Sequence, residues 1–261
     1  VTEDCFSQQL KNVDHINMAK NDLTVIRAGT FIDIDIAGIN LENNFIATIE
    51  DNAFTNLSNL RELVLSNNHL QEFNSGAFTY TPKLATLFVD SNRIKSLQEK
   101  FLAFLQSNST LLLLNFRYNN ITDISDKAFD GIGDGFESIT LDLSWNSIEI
   151  LPPGMFNYGY HFLNIFLTAN PIKKIPGLLC DDKCDIDSFA FACDRVDIET
   201  LKNMVQWALT NHISMNTENC PRYDSVTCSP DDGCSKSEKK YNNGFLSIVT
   251  LLTIWFVSIY F

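Results

Sequence analysis

The chain has 261 residues, with 32 acidic and 19 basic side chains, for a formal net charge of −13 at pH 7. That balance argues against nucleic acid as a partner, because phosphates reward basic patches. It holds only four histidines, His15, His69, His161 and His212, and no nucleophile-elbow, zinc-helix or phosphate-loop motif, so neither catalysis nor a cofactor or metal is expected.

In chain order, residues 1–12 carry a single cysteine, Cys5. Val1 is not an initiator, which fits a mature protein without its leader or a fragment. From 13 to 180 one frame recurs. Leu60, Leu63, Leu65, Asn68 and Leu70 have counterparts in Leu84, Leu87, Val89, Asn92 and Ile94. The same register catches Asn21, Asn44, Asn119, Asn146 and Asn170, in steps of 23, 24, 24, 27, 27 and 24 residues. Each unit predicts a short strand, a turn at the asparagine and an irregular return. Leu63 and Leu65 alternate, so both point to one side of the strand. One such face is too small to stand alone, and stacking about seven builds a continuous core. The turn needs its backbone groups satisfied, and an asparagine side chain supplies both donor and acceptor. The two 27-residue steps imply insertions, one in the stretch Gly131 to Gly135.

A second ladder is aromatic. Phe31, Phe54, Phe78, Phe129 and Phe156 each follow the repeat asparagine by ten residues. In repeat four the slot falls to Phe101 or Phe104, and in repeat seven to Cys180. These are expected to pack as a spine under the convex side rather than to bind a ligand.

With its signature residues Leu63, Leu65, Asn68, Leu70, Phe73 and Phe78, the chain resembles the extracellular leucine-rich repeat proteins, over about Val13 to Cys180. The match loosens at Met18 and Ser138. The resemblance implies an α/β leucine-rich repeat solenoid, a curved horseshoe with a parallel β-sheet on its concave face. It also implies that residues 1–12, with Cys5 alone, are a truncated or reduced N-terminal cap, and that 181–228 form a cysteine-bearing C-terminal cap, with a helix near Leu201–Leu209. There Leu201, Met204 or Val205, and Ala208 or Leu209 share one face. The clustering of Cys180, Cys184, Cys193, Cys220 and Cys228 points to disulfides and an oxidising compartment. Zinc at Cys180 and Cys184 is disfavoured by irregular partner spacing, and calcium at Asp181, Asp182, Asp185 and Asp187 by the missing glycine and terminal glutamate.

Asn56, Asn108 and Asn120 head N-glycosylation triplets. After a polar spacer at 229–244, residues 245–261 carry no charge. That tail reads as a GPI signal, with attachment at Asp232 or Gly233, or else as a short membrane anchor. The expected location is the outer cell surface, with secretion as the alternative.

The outward strand slots of repeats four to seven are Phe88, Asp90, Asn115, Arg117, Tyr118, Asp142, Trp145, Asn164 and Phe166. All are expected to face solvent on the concave side. His15, Asn17, Lys20, Asn40, Glu42, Glu62 and Asn67 make the N-terminal half more polar. Aromatics and arginine are favoured at binding hot spots, so the expected function is protein recognition at the cell surface. A protein that binds microbial glycans or proteins, and a matrix component, are the alternatives.

Overall fold

The computed structural model describes residues 13–106, 111–132, 136–157, 161–175, 179, 185–191 and 195–216. They lie in the first of two compact units, Val1–Tyr223; the second, Asp224–Phe261, falls outside them. All seven cysteines, Asn108, Asp232, Gly233 and the apolar tail also lie outside the described residues.

Each repeat contributes one strand to a ten-stranded sheet. The seven are His15–Asn17, Gly38–Asn40, Glu62–Val64, Thr86–Phe88, Leu111–Asn115, Ser138–Asp142 and His161–Leu167. Ser188–Phe191 and Ser214–Asn216 extend the sheet beyond the seventh of these strands, and Asp185–Ile186 pairs beside the seventh. Every pairing is parallel, in the register Ile39–Leu63–Leu87–Leu114–Leu141–Ile165. These residues and the next column, Leu41, Leu65, Val89, Phe116, Leu143 and Leu167, are buried. The expected solenoid, with its parallel sheet, is the observed fold. The 27-residue steps do not disturb it: Leu114 sits on Leu87 and Leu141 on Leu114. The extra residues are taken up between the strands.

The asparagines close each turn onto its neighbours. Asn68 Nδ2 donates to Leu41 O at 3.0 Å and Leu65 O at 3.0 Å, while its Oδ1 accepts from Ile46 N at 2.9 Å. Asn92, Asn119 and Asn146 repeat the pattern. Asn21 differs. It is exposed, and among the described residues its side chain reaches only Met18 O and Ala19 O, within its own turn.

The residue just before each repeat asparagine has a left-handed backbone: Lys20, Asn43, Asn67, Ser91, Tyr118, Trp145 and Ala169 all have φ between 52° and 58°. The bend carries the chain off the sheet, and the left-handed region suits asparagine better than bulky side chains.

On the return side Phe31 stacks on Phe54 at 5.3 Å, Phe54 on Phe78 at 5.2 Å, and Phe78 on Phe104 at 4.2 Å. Phe104 therefore continues the parallel stack. Phe101 meets Phe116 and Phe129 edge-on, at 5.6 and 5.7 Å, and passes the column on to the Phe129–Phe156 stack at 5.8 Å. The alternative between the two phenylalanines resolves into two roles.

The helix expected near Leu201–Leu209 runs Ile198–Thr210. Asp197 caps it, accepting from Thr200 N at 2.8 Å. Leu201, Met204 and Ala208 form the buried face, joined by Trp207; Val205 is half-buried and Leu209 exposed.

Candidate functional site

Three rows of side chains line the outer face of the sheet. The middle row runs Asn17, Asn40, Val64, Phe88, Asn115, Asp142 and Phe166, one per repeat. Beside it, toward the turn, run Glu42, Ser66, Asp90, Arg117, Ser144 and Thr168. The third row holds His15, Gly38, Glu62, Thr86, Leu113, Thr140 and Asn164. Phe88, Asp90, Asn115, Arg117, Asn164 and Phe166 are half-buried at these positions.

Two expectations need correction. Asp142 does not face solvent; it is only 7% exposed. Its Oδ1 accepts from Ser144 N at 2.8 Å. Asn17, Asn40 and Asn115 make the same two-residue turn, accepting from Ala19 N, Glu42 N and Arg117 N. Asp142 thus fills an asparagine's structural slot, and the turn holds its carboxylate down against the strand end. Tyr118 and Trp145 are exposed, at 44% and 49%, but neither lies on a strand. Both sit in the left-handed turn that leaves the sheet, so they form a rim rather than part of the sheet face.

The rim is ordered. Tyr118 N donates to Ser144 O at 3.1 Å and Trp145 N to Thr168 O at 2.9 Å, fixing each turn to the next repeat. The two rings lie 5.1 Å apart, tilted by 33°. Arg117 turns its guanidinium over the Tyr118 ring, Cζ 4.6 Å from the centroid. Its Nη2 donates to Tyr118 Oη at 3.1 Å, while Nε is buried without a hydrogen-bond partner.

Burial pushes the Asp142 carboxyl above the usual carboxylate range, against the Ser144 amide and hydroxyl and the charge of Arg117. Burial also pushes Asp90 up, opposed by hydrogen bonds from Ser66 and its own backbone and reinforced by Glu42. Ser66 Oγ donates to Asp90 Oδ1 at 2.5 Å and Asn115 Nδ2 to the same oxygen at 3.2 Å. Glu62 is likewise raised by burial, with His15 opposing. The His15 ring lies over Gly38, where a Cβ would stand 2.4 Å from its Cδ2, so only glycine leaves that path open.

Of the glycosylation candidates, Asn56 and Asn120 are exposed. Asn56 Nδ2 donates to Asp33 Oδ1 at 2.9 Å. Among the described residues no group of three or more His, Cys, Asp or Glu is placed to hold a metal ion, and no helix is long and apolar enough to cross a membrane.

Stacked parallel strands, an asparagine ladder and a phenylalanine spine define the non-catalytic leucine-rich repeat scaffold, a fold generally used for protein–protein interaction. The leucine rich repeat family model matches residues 36–94 and 82–134, which makes 36–134 a leucine-rich repeat region. No curated protein matches the chain.

Proposed function

We propose that this protein is a recognition module displayed at the cell surface, binding a protein partner through the sheet face and rim of repeats four to seven. The observation that carries this reading is the Tyr118–Trp145 pair. Two large aromatics stand exposed and in mutual contact at backbone positions that other repeats give to lysine, asparagine, serine or alanine. Stability does not call for them there, since a bulky side chain is disfavoured at positive φ. Half-buried Phe88 and Phe166 and the tethered Arg117 supply further contact types favoured at interfaces. Display at the surface rests on the uncharged tail at 245–261.

The test is a binding screen of the full chain against host ectodomains and microbial surface material. The expected result is a protein ligand whose affinity falls tenfold or more, about 1.4 kcal/mol, in the Tyr118→Ala/Trp145→Ala double variant. The variant's melting temperature should barely move. A ligand bound equally well by the double variant refutes the site. Surface display is tested separately, by treating intact cells with a GPI-cleaving phospholipase. Retention of the protein after proven cleavage of a control refutes that mode of attachment.

A further inference from the structure

The chemistry of the partner can be read from the charges around the rim. On the sheet-facing rows of the seven repeats the carboxylates are Glu42, Glu62, Asp90 and Asp142, and the sole fixed positive charge is Arg117. Arg117 is already committed: its guanidinium lies on the Tyr118 ring and donates to the tyrosine hydroxyl. Tyr118 thus meets a cation on one side and lies beside the tilted Trp145 ring, 5.1 Å away. Trp145 remains 49% exposed, and no cation rests on it among the described residues. An indole face is the best aromatic acceptor for a cation. Three residues back in the chain, Asp142 is 7% exposed, and its carboxylate feels the Arg117 charge across the same patch. A buried negative charge that acts on Arg117, in the same patch as an exposed indole that holds no cation, attracts a cation and repels an anion.

We propose that the rim of repeats five and six receives a lysine or arginine side chain of a protein partner, laid on Trp145 with its charge toward Asp142. The inference rests on the recognition reading above and adds the sign and class of the contacting group. Trp145 supplies the face, Asp142 the counter-charge, and the Arg117–Tyr118 contact braces the neighbouring ring. An acidic partner would meet the half-buried carboxylates of Glu42, Glu62 and Asp90 across the sheet face, with that of Asp142 beneath it. The net charge of −13 acts in the same direction at longer range.

The test is selection of a random peptide library displayed on phage against the immobilised full chain, followed by titration of the enriched peptides as synthetic molecules. The expected result is enrichment of lysine- or arginine-bearing peptides. Their affinity should fall at least tenfold in Trp145→Ala and at least threefold in Asp142→Asn. It should be unchanged in Tyr80→Ala, which removes an exposed ring on the return side. Changing the basic residue of the peptide to glutamine should cost as much as removing Trp145. Enrichment of acidic or uncharged peptides, or of none, overturns the proposal. So does binding of basic peptides that ignores Trp145→Ala, or a sugar on a glycan array bound through Trp145. Peptides lost in a Phe88→Ser variant but not in Trp145→Ala would leave the sheet face as a recognition surface while removing the cation site. Peptides lost in neither variant would remove both.

Discussion

Replacing Asn68 with alanine tests whether the asparagine ladder carries the stability of the repeats. Four groups depend on this side chain: Ile46 N at 2.9 Å, Leu41 O and Leu65 O at 3.0 Å, and Ser66 O at 3.2 Å. The three carbonyls keep second partners: Asn44 Nδ2 for Leu41 O, Asn92 Nδ2 for Leu65 O and Asn43 N for Ser66 O. Ile46 N loses its acceptor in the interior, where Ile46 is fully buried. One orphaned buried donor costs about 1–3 kcal/mol, and three weakened carbonyl contacts add less, so the loss comes to roughly 2–4 kcal/mol. Asn21→Ala is the internal control. Among the described residues Asn21 bonds only two carbonyls, both in its own exposed turn, so its loss should stay below about 1 kcal/mol. The assay is urea unfolding of both variants and the parent, followed by circular dichroism and by the emission of buried Trp207. An Asn68→Asp variant keeps an acceptor for Ile46 N but turns a buried carboxylate oxygen toward three carbonyls, so at neutral pH it should lose at least as much as Asn68→Ala. Equal losses for Asn68→Ala and Asn21→Ala would refute the ladder as a source of stability.

Phe54 is fully buried and stacked on both sides; Phe54→Ala should lose roughly 3–5 kcal/mol, whereas exposed Phe45→Ala should lose under about 1, by the same denaturation assay. Burial raises the folded pKa of Asp142 above its unfolded value, so the associated stability is fully present below the unfolded pKa and is lost as pH rises through the raised one. Asp142→Asn mimics the protonated form, keeps the acceptor for Ser144 N, and should melt higher than the parent at pH 7, with the gap closing near pH 4. A constant gap across that range would contradict the burial argument. Asp197 is held below the usual carboxylate range by the hydroxyl and amide of Thr200. Its contribution is therefore present above the unfolded pKa and fades as pH falls through the lowered one. Asp197→Ala should reduce helical ellipticity at neutral pH and leave it unchanged in strong acid.

The repeat period made the fold legible, because a 24-residue step with alternating leucines leaves one way to stack the strands. The asparagine's double role was also legible, since its donor and acceptor match what a buried turn lacks. Asp142 was not read correctly. Its outward slot was right, but its burial comes from an Asx turn shared with Asn17, Asn40 and Asn115. That recurrence was present in the sequence as Asn or Asp four places before the repeat asparagine in four of the seven repeats. Tyr118 and Trp145 were placed on strands although Asn43 and Asn67 hold the same slot. Asparagine repeated there signals a left-handed turn. Their mutual contact followed from the spacing of neighbouring strands. The choice between Phe101 and Phe104 depended on how a longer return folds back, which no local pattern encodes.

The direction of the hydrogen bonds between repeats has a mechanical consequence. They run from one repeat to the next, as from Asn43 N to Ser66 O and from Asn67 N to Asp90 O. A pull along the stack therefore stretches these bonds along their own length and strains one junction before the next. Under tension the repeats should peel away singly at low force, instead of resisting together as strands sheared past one another would. Each detached repeat would release about 24 residues, a gain of roughly 80 Å of contour at about 3.4 Å per residue. Such an array would lengthen in regular increments and take up slack, acting as a stepwise extensible tether.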